Sequence, residues 1–384
     1  SQTEAGESKI QIVKSLPVET GLQRYKTQPT AEFWVRMFKN ARKSIDIAQF
    51  YLSNQKGEKL EPVINEIIAA AKRGVKIRIM VGKGVNKEML RKTAEVTSRL
   101  KGISNIDFAV FDWRALNNGI IHAKYFILDR RAVFVGSQNF DWRALTHIHE
   151  TGVWIEDRNI ASQLGAVFDL DWKFCKGNRD IYETLKPRKG EIKISDLMLL
   201  SSPADYNPPN THAALDILLH LLRTAKKTVR VQLLNYSEKI YGKGKKEKYL
   251  ILTKALLAAA DRGIRIDMMV SNWFNKYSGI RTLKKLGNHR NINIKIITIP
   301  QYSKGFIPYA RVIHSKVLRV DDDISWVGTS NWGHSYFIAS RNIEILMRDK
   351  GIARTLDLLF DELWNGKFSD LIVQDKTYIP AKRN

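Results

Sequence analysis

A single cysteine, Cys175, occurs in 384 residues. One thiol cannot form an intrachain disulfide, and without clustered Cys/His ligand spacing a structural zinc site is not indicated. No catalytic signature surrounds Cys175, so it reads as a small apolar residue. No run of eighteen apolar residues occurs, so no stretch has the character of a transmembrane helix. An initiating methionine is also missing: the chain opens SQTEAGES and its first Met is Met37. That start is expected of a processed N-terminus, as after removal of a signal peptide. Export, periplasmic or secreted, is the expectation, with a cytoplasmic location left open. Acidic residues are scarce beside basic ones, 39 Asp and Glu against 63 Lys and Arg, for a net charge of +24. Such an excess attracts polyanions, nucleic acid first and anionic membrane surfaces second.

What is present is a pattern that occurs twice. In HAKYFILDRRAVFVGSQNFDWR, His122 is followed by Lys124, Asp129, Gly136-Ser137 and Asn139. In HSKVLRVDDDISWVGTSNW, His314, Lys316, Asp321, Gly328-Thr329 and Asn331 fall at the same offsets. At average composition a His-x-Lys-x4-Asp match arises by chance at roughly one start position in ten thousand. Two copies with the same continuation mark a site, where one lone histidine would read as a satisfied core group.

The residue types define a chemistry. A neutral imidazole attacks phosphorus, and a second, protonated imidazole hands a proton to the departing oxygen. Lys124 and Lys316 supply positive charge to the non-bridging oxygens, and the amides of Asn139 and Asn331 donate hydrogen bonds to them. This is a phosphate clamp that needs no metal and no cofactor. In a strand, His122 and Lys124 point to one face and Asp129 to the other, so Asp129 and Asp321 are supporting members of the catalytic set. Each histidine needs an acceptor to fix its tautomer, and Glu150 and Glu344 are the candidates. Ser137 and Thr329 belong with the substrate-binding residues. Trp142 and Trp332, close behind the two asparagines, are placed to line the pocket or support it.

These residues resemble the double signature of the phospholipase D superfamily. Within it they are similar to the animal lysosomal phospholipase-D-like 5′ exonucleases and the poxvirus nicking-joining enzyme. The likeness rests on GSQNFDWRALTHIHETGV at 136–153, SSPAD at 201–205, LDILLHLLRTAKKTVRVQLLNYS at 215–237, IPYARVIHSK at 307–316 and VGTSNWGHSYF at 327–337. It covers most of the chain from about Ser44 to about Glu362. The resemblance implies that His122 is the nucleophile, forming a phosphohistidine, and His314 the general acid; the spacing itself does not say which histidine attacks. It also implies that SSPAD lies near the active site. The animal exonucleases are rich in cysteine, and this chain departs from them there.

The elements repeat as well. A helical pattern over 33–38 leads into a strand at 44–52. LEPVINEIIAAAKRG puts Leu60, Val63, Ile64, Ile67 and Ile68 on one stripe and stops at Gly74, followed by the alternating strand VKIRIMV. AALDILLHLLRTAKK, TVRVQLLNY, ILTKALLAAADRG and IRIDMMV repeat that order. Gly74 and Gly263 are 189 residues apart, and His122 and His314 are 192 apart. The expected fold is therefore α/β: two duplicated α/β sandwich domains with mainly parallel or mixed sheets, related by a pseudo-two-fold axis and sharing one active site. The expected division is a mobile tail at 1–9, a first domain at 10–185 and a second at 186–384, with the boundary in the Pro- and Gly-broken stretch 176–212.

YGKGKKEK at 241–248 reads as a solvated basic loop. Trp273, Phe274, Tyr302, Phe306 and Tyr309 lie among lysines before the second signature, an arrangement suited to stacking bases while charge holds the backbone. Trp273 and Phe306 are taken as substrate-binding, and Tyr309 reads more as core. The leading function is hydrolysis of single-stranded nucleic acid, as a 5′-to-3′ exonuclease. The alternative is a phospholipase D or phosphatidyltransferase acting on glycerophospholipids, for which no interfacial helix stands out. An idle nucleic-acid binder would be expected to have lost a His or Lys from one copy, and neither copy has.

Overall fold

The computed structural model describes residues 9–186, 188, 190–240, 247–274 and 278–384. Of the expected tail only Lys9 falls within the described residues, and it begins a strand. Most of the basic loop, 241–246, lies outside them.

Each half is built around three parallel strands. In the first these are Ser44–Gln49, Lys76–Gly82 and Ile106–Phe111, connected through helices Leu60–Lys72 and Lys87–Leu100. The helix Leu60–Lys72 buries Leu60, Val63, Ile64 and Ile67 against the sheet. Gly74, at φ +95°, turns the chain out of it through the left-handed region that glycine enters without strain. Beyond Ser44–Gln49 the sheet continues antiparallel through Tyr125–Leu128, Ala132–Gly136, Glu150–Glu156 and Lys9–Ser15, with Gln28–Pro29 at the edge.

The second sheet repeats that order. Ile292–Ile297, Arg265–Ser271, Thr228–Leu233, Val317–Val320, Ile324–Gly328, Asn342–Arg348, Leu197–Ser202 and His212–Ala213 are neighbours in turn, and Ser369–Leu371 adds one strand outside Ile292–Ile297. The duplication and the mixed sheets are thus both present. The halves meet through apolar side chains: Val133, Val135 and Val153 share one buried cluster with Val327, Ile343 and Ile345. A separate aromatic core, Phe33, Trp34, Phe38, Phe126, Phe134 and Phe140, lies under the first sheet.

One expectation about local structure is corrected. His122 and Lys124 are not in a strand, which begins only at Tyr125; likewise His314 and Lys316 precede Val317–Val320. Both signatures start in the chain entering the sheet, where the backbone N–H groups of the first two residues bond to the other half.

Candidate active site

Those backbone bonds bring the histidines together. The N–H groups of His122 and Ala123 both donate to the Arg341 carbonyl at 2.9 Å, while those of His314 and Ser315 donate to the His149 carbonyl at 2.9 and 3.2 Å. Each signature is therefore anchored to the residue just before an antiparallel strand of the opposite half, Asn342–Arg348 for the first and Glu150–Glu156 for the second. The strand ends involved lie beside the carboxyl ends of Ser44–Gln49 and Thr228–Leu233, where sites in sheets with parallel strands usually form.

The two imidazoles have different partners, and both partners cross between halves. His314 Nδ1 lies 3.0 and 2.9 Å from the two carboxylate oxygens of Glu150. His122 Nδ1 lies 3.0 Å from Asn342 Oδ1. Glu150 thus serves a histidine as expected, but the histidine of the other copy. Glu344 contacts neither: it accepts from Trp326 Nε1 at 2.9 Å, Thr329 N at 3.1 Å and Ser330 N at 3.0 Å. The 192-residue offset that relates the histidines pairs Glu150 with Asn342, and Glu344 sits two residues deeper along the strand. It can lie there only because position 328 is glycine, where a Cβ would fall 1.6 Å from its Oε2.

Asn342 fixes the His122 tautomer. Its Nδ2 donates to the Tyr336 carbonyl at 2.9 Å, and its Oδ1 accepts from Thr329 Oγ1 at 2.8 Å. That orientation leaves an oxygen facing His122, so Nδ1 must carry the proton and Nε2 a free lone pair. A carboxylate at 342 would meet the Tyr336 carbonyl with no proton to offer. On the other side, His314 Nδ1 faces both oxygens of Glu150, a placement that would stabilise an imidazolium with Nε2–H to give away.

The surroundings are strongly positive for a buried place. Burial pushes Lys316 down to about 7 and Lys14 down to about 7, and it holds Lys124 well below the usual ammonium range. Burial, then the neighbouring lysines, keeps both imidazoles well below their ordinary value, and burial pushes Glu150 up to about 8. A phosphodiester anion settling among the lysines favours the imidazolium. The Lys124 and Lys316 ammonium groups rest on the carbonyls of His122 and His314, two residues back. Asn331 is fully buried, its Oδ1 accepting from Leu234 N at 3.0 Å, which leaves Nδ2 without a protein partner and suited to a phosphate oxygen. Asn139 Oδ1 is likewise buried and unpartnered.

Several sequence-derived assignments move. Asp129 and Asp321 sit past the far ends of their strands, at φ +50° in both cases, about 20 Å along the chain from the histidines. Asp129 accepts from the backbone N–H groups of Arg42, Lys43 and Ser44, and Asp321 from those of Lys226, Lys227 and Thr228. They staple turns and do not reach the reacting groups. Ser137 and Thr329 are buried and hold the histidine partners: Ser137 Oγ donates to Glu150 as Thr329 Oγ1 does to Asn342. Both hydroxyls are hydrogen-bonded inside the protein. Trp332 belongs to the second-half core, while Trp142 is half-buried against His147, 5.7 Å between rings. Phe274 is core, whereas Tyr309, read as core, is exposed. Phe306 is exposed with Lys382 over its ring at 4.9 Å, and Arg383 lies 5.5 Å from the Trp273 ring.

Sequence reasoning missed Asn342, although adding the histidine offset to Glu150 points to it. It also missed Arg341, whose guanidinium is fully buried on Asp171 at 2.8 and 3.0 Å, with Ser201 at 3.1 Å and Asn207 at 3.0 Å. The serines of SSPAD lie beneath Arg341 and Asn342, Ser202 Oγ donating to the Tyr336 carbonyl at 2.8 Å. Lys14, donating to Thr151 Oγ1 at 2.9 Å behind Glu150, had no signal in the sequence.

Two crossed histidines among buried lysines, on a duplicated α/β frame, are the mark of a superfamily. The chain belongs to the phospholipase-D-like family: the family model described as "Cardiolipin synthase, PLD-like domain" matches residues 34–172 and 218–364, and the protein is a phosphodiesterase of that superfamily. Among its relatives is the "Probable phospholipase D F09G2.8" of Caenorhabditis elegans, 27% identical over 93% of this chain and 70% of that protein. The "Virion nicking-joining enzyme" of Vaccinia virus is 28% identical over 93% of this chain and 88% of that one. The "5'-3' exonuclease PLD3" of Xenopus laevis is 27% identical over 88% of this chain and 75% of that one. The crystal structure of phosphatidylserine synthase from Haemophilus influenzae shares the fold, with a TM-score of 0.65 at 12% identity over 89% of this chain and 85% of that one.

Proposed function

We propose that this protein hydrolyses single-stranded nucleic acid as a 5′-to-3′ exonuclease, through a phosphohistidine and without a metal ion. The observation that carries the chemistry is the unequal pairing of the two histidines. His122, held as the Nδ1–H tautomer by Asn342, presents the Nε2 lone pair to phosphorus. His314, backed by Glu150, protonates the departing oxygen. In the second step the now-neutral His314 takes a proton from water, which attacks phosphorus and frees His122. Lys124, Lys316 and Asn331 stabilise the charge that grows on the non-bridging oxygens, the part a divalent ion plays elsewhere.

For the substrate, support comes from the net charge of +24, from Trp273 and Phe306 paired with Arg383 and Lys382, and from the nucleic-acid names of two relatives. The test is a competition on one preparation with EDTA present. End-labelled single-stranded DNA and RNA are offered beside phosphatidylcholine and phosphatidylglycerol vesicles, with His122→Ala as the blank. Stepwise shortening from the 5′ end with intact lipid is the expected result. Headgroup release with intact oligonucleotide would instead assign the charge to membrane surfaces and overturn the proposal.

A further inference from the structure

The strongest feature outside the histidine pair is a cleft of about 530 Å³ beside it, in the first half. It opens at the carboxyl ends of Lys76–Gly82 and Ile106–Phe111, between Phe50, Phe111 and Ile121 on one side and Lys83, Lys87 and Leu90 on the other. Phe50 is a wall common to cleft and site: its ring lies 5.6 Å from the His122 ring and 5.7 Å from Lys124 Nζ. Ile121 is the residue before His122. Whatever fills the cleft is therefore within reach of a phosphate between the histidines.

We propose that this cleft is a nucleoside subsite, receiving the base and sugar attached to the scissile phosphate. The inference rests on the nuclease reading above and specifies how that substrate is held. Its lining is largely apolar, suited to the face of a base, and at its lip Lys87, suited to a neighbouring phosphate, lies with the Lys83–Asp112 ion pair at 2.7 Å. Its volume is that of a small-ligand pocket and suits one nucleoside, whereas a glycerolipid with two long acyl chains would exceed it. Glycine at position 82 lets Phe50 and Ile121 pack directly on the strand end to form the cleft wall, since a Cβ there would stand 2.7 Å from the Phe50 carbonyl oxygen and 2.9 Å from Ile121 Cγ2.

The second half treats the matching place differently. The strand Arg265–Ser271 ends there as Lys76–Gly82 does in the first half, but residues 381–383 run across it. Ala381 N donates to the Asn272 carbonyl at 3.0 Å, Tyr309 N donates to the Arg383 carbonyl at 2.7 Å, and the Arg383 guanidinium donates to the Trp273 carbonyl. Among the described residues the two strand ends thus differ, and the proposed nucleoside site is the one beside His122.

The test compares thymidine 3′- and 5′-(p-nitrophenyl phosphate) with bis(p-nitrophenyl) phosphate, reading kcat/KM for each. Leu90→Trp fills the cleft from an exposed helix position, and Lys87→Glu reverses charge at its lip; Leu358→Trp, an exposed position elsewhere, is the control. In both cleft variants the ratio of nucleoside ester to bis-ester kcat/KM should fall about tenfold, chiefly through KM, and the control ratio should match wild type. A ratio within about twofold of wild type in both cleft variants, with the nucleoside esters still cleaved, overturns the subsite and leaves the nuclease reading standing. A wild-type enzyme that cleaves the bis-ester but neither nucleoside esters nor oligonucleotides overturns both.

Discussion

Glu150→Gln is the substitution that separates the two histidines most cleanly. The carboxylate is fully buried and within 3.0 Å of His314 Nδ1 through both oxygens. Unit charges about 4 Å apart at an effective dielectric of about 20 interact by about 4 kcal/mol. A glutamine keeps a neutral hydrogen bond of about 1 kcal/mol, so the net loss to the His314 imidazolium is about 3 kcal/mol. That is roughly a hundredfold in kcat/KM if His314 must donate a proton in the transition state. The sign for pH follows. Losing the carboxylate disfavours the protonated imidazole, so His314 gives up its proton at lower pH and the alkaline limb of the rate profile moves to lower pH. The acid limb, which reports His122 becoming neutral, stays in place. The assay is a kcat/KM profile over pH with bis(p-nitrophenyl) phosphate and with labelled oligonucleotide, in EDTA. Activity within about twofold of wild type, or a shift of the acid limb instead, would refute the assignment of His314 as the acid.

Other expectations follow from the same geometry. His122→Ala should abolish turnover while single-stranded oligonucleotide binding, followed by fluorescence anisotropy, is largely kept; near-native activity would remove His122 from the mechanism. Full activity should survive excess EDTA, and loss that magnesium restores would contradict charge stabilisation by Lys124, Lys316 and Asn331. Asp129→Ala uncaps three backbone amides and should lower stability by about 1–3 kcal/mol in urea denaturation, with activity per folded molecule unchanged. A large fall in kcat would return Asp129 to the reacting groups. Arg341→Ala strands the buried Asp171 carboxylate and should cost about 3–5 kcal/mol, read as a lowered midpoint in the same denaturation. An unchanged midpoint would mean that this ion pair does not hold the halves.

The fold was legible because its signals are local and doubled: helix stripes ending at Gly74 and Gly263, alternating strands, and constant offsets between copies. The histidines, lysines and asparagines were legible for the same reason. What escaped depends on distance. Spacing along one copy suggests that Glu150 and Glu344 play like parts, yet the partners come from the opposite copy, and one of them is an amide. Asp129 and Asp321 share the signature's spacing but act on turns, since a strand's length carries them away from the site. Ser137 and Thr329 looked like ligands because short polar residues beside glycine often are; only the folded chain shows them turned inward on Glu150 and Asn342. Lys14, 136 residues from Glu150, arrives through strand pairing that no pattern in the sequence announces.

The mismatch between Glu150 and Asn342 bears on direction. Were both positions the same residue, a phosphodiester could enter either way round, and a strand would be cut from whichever end arrived. In the proposed mechanism, with His314 as proton donor on one side and His122 as attacking nitrogen on the other, only one threading places the departing oxygen beside His314. The amide-for-acid difference between the two copies would thus give the duplicated frame a sense of left and right.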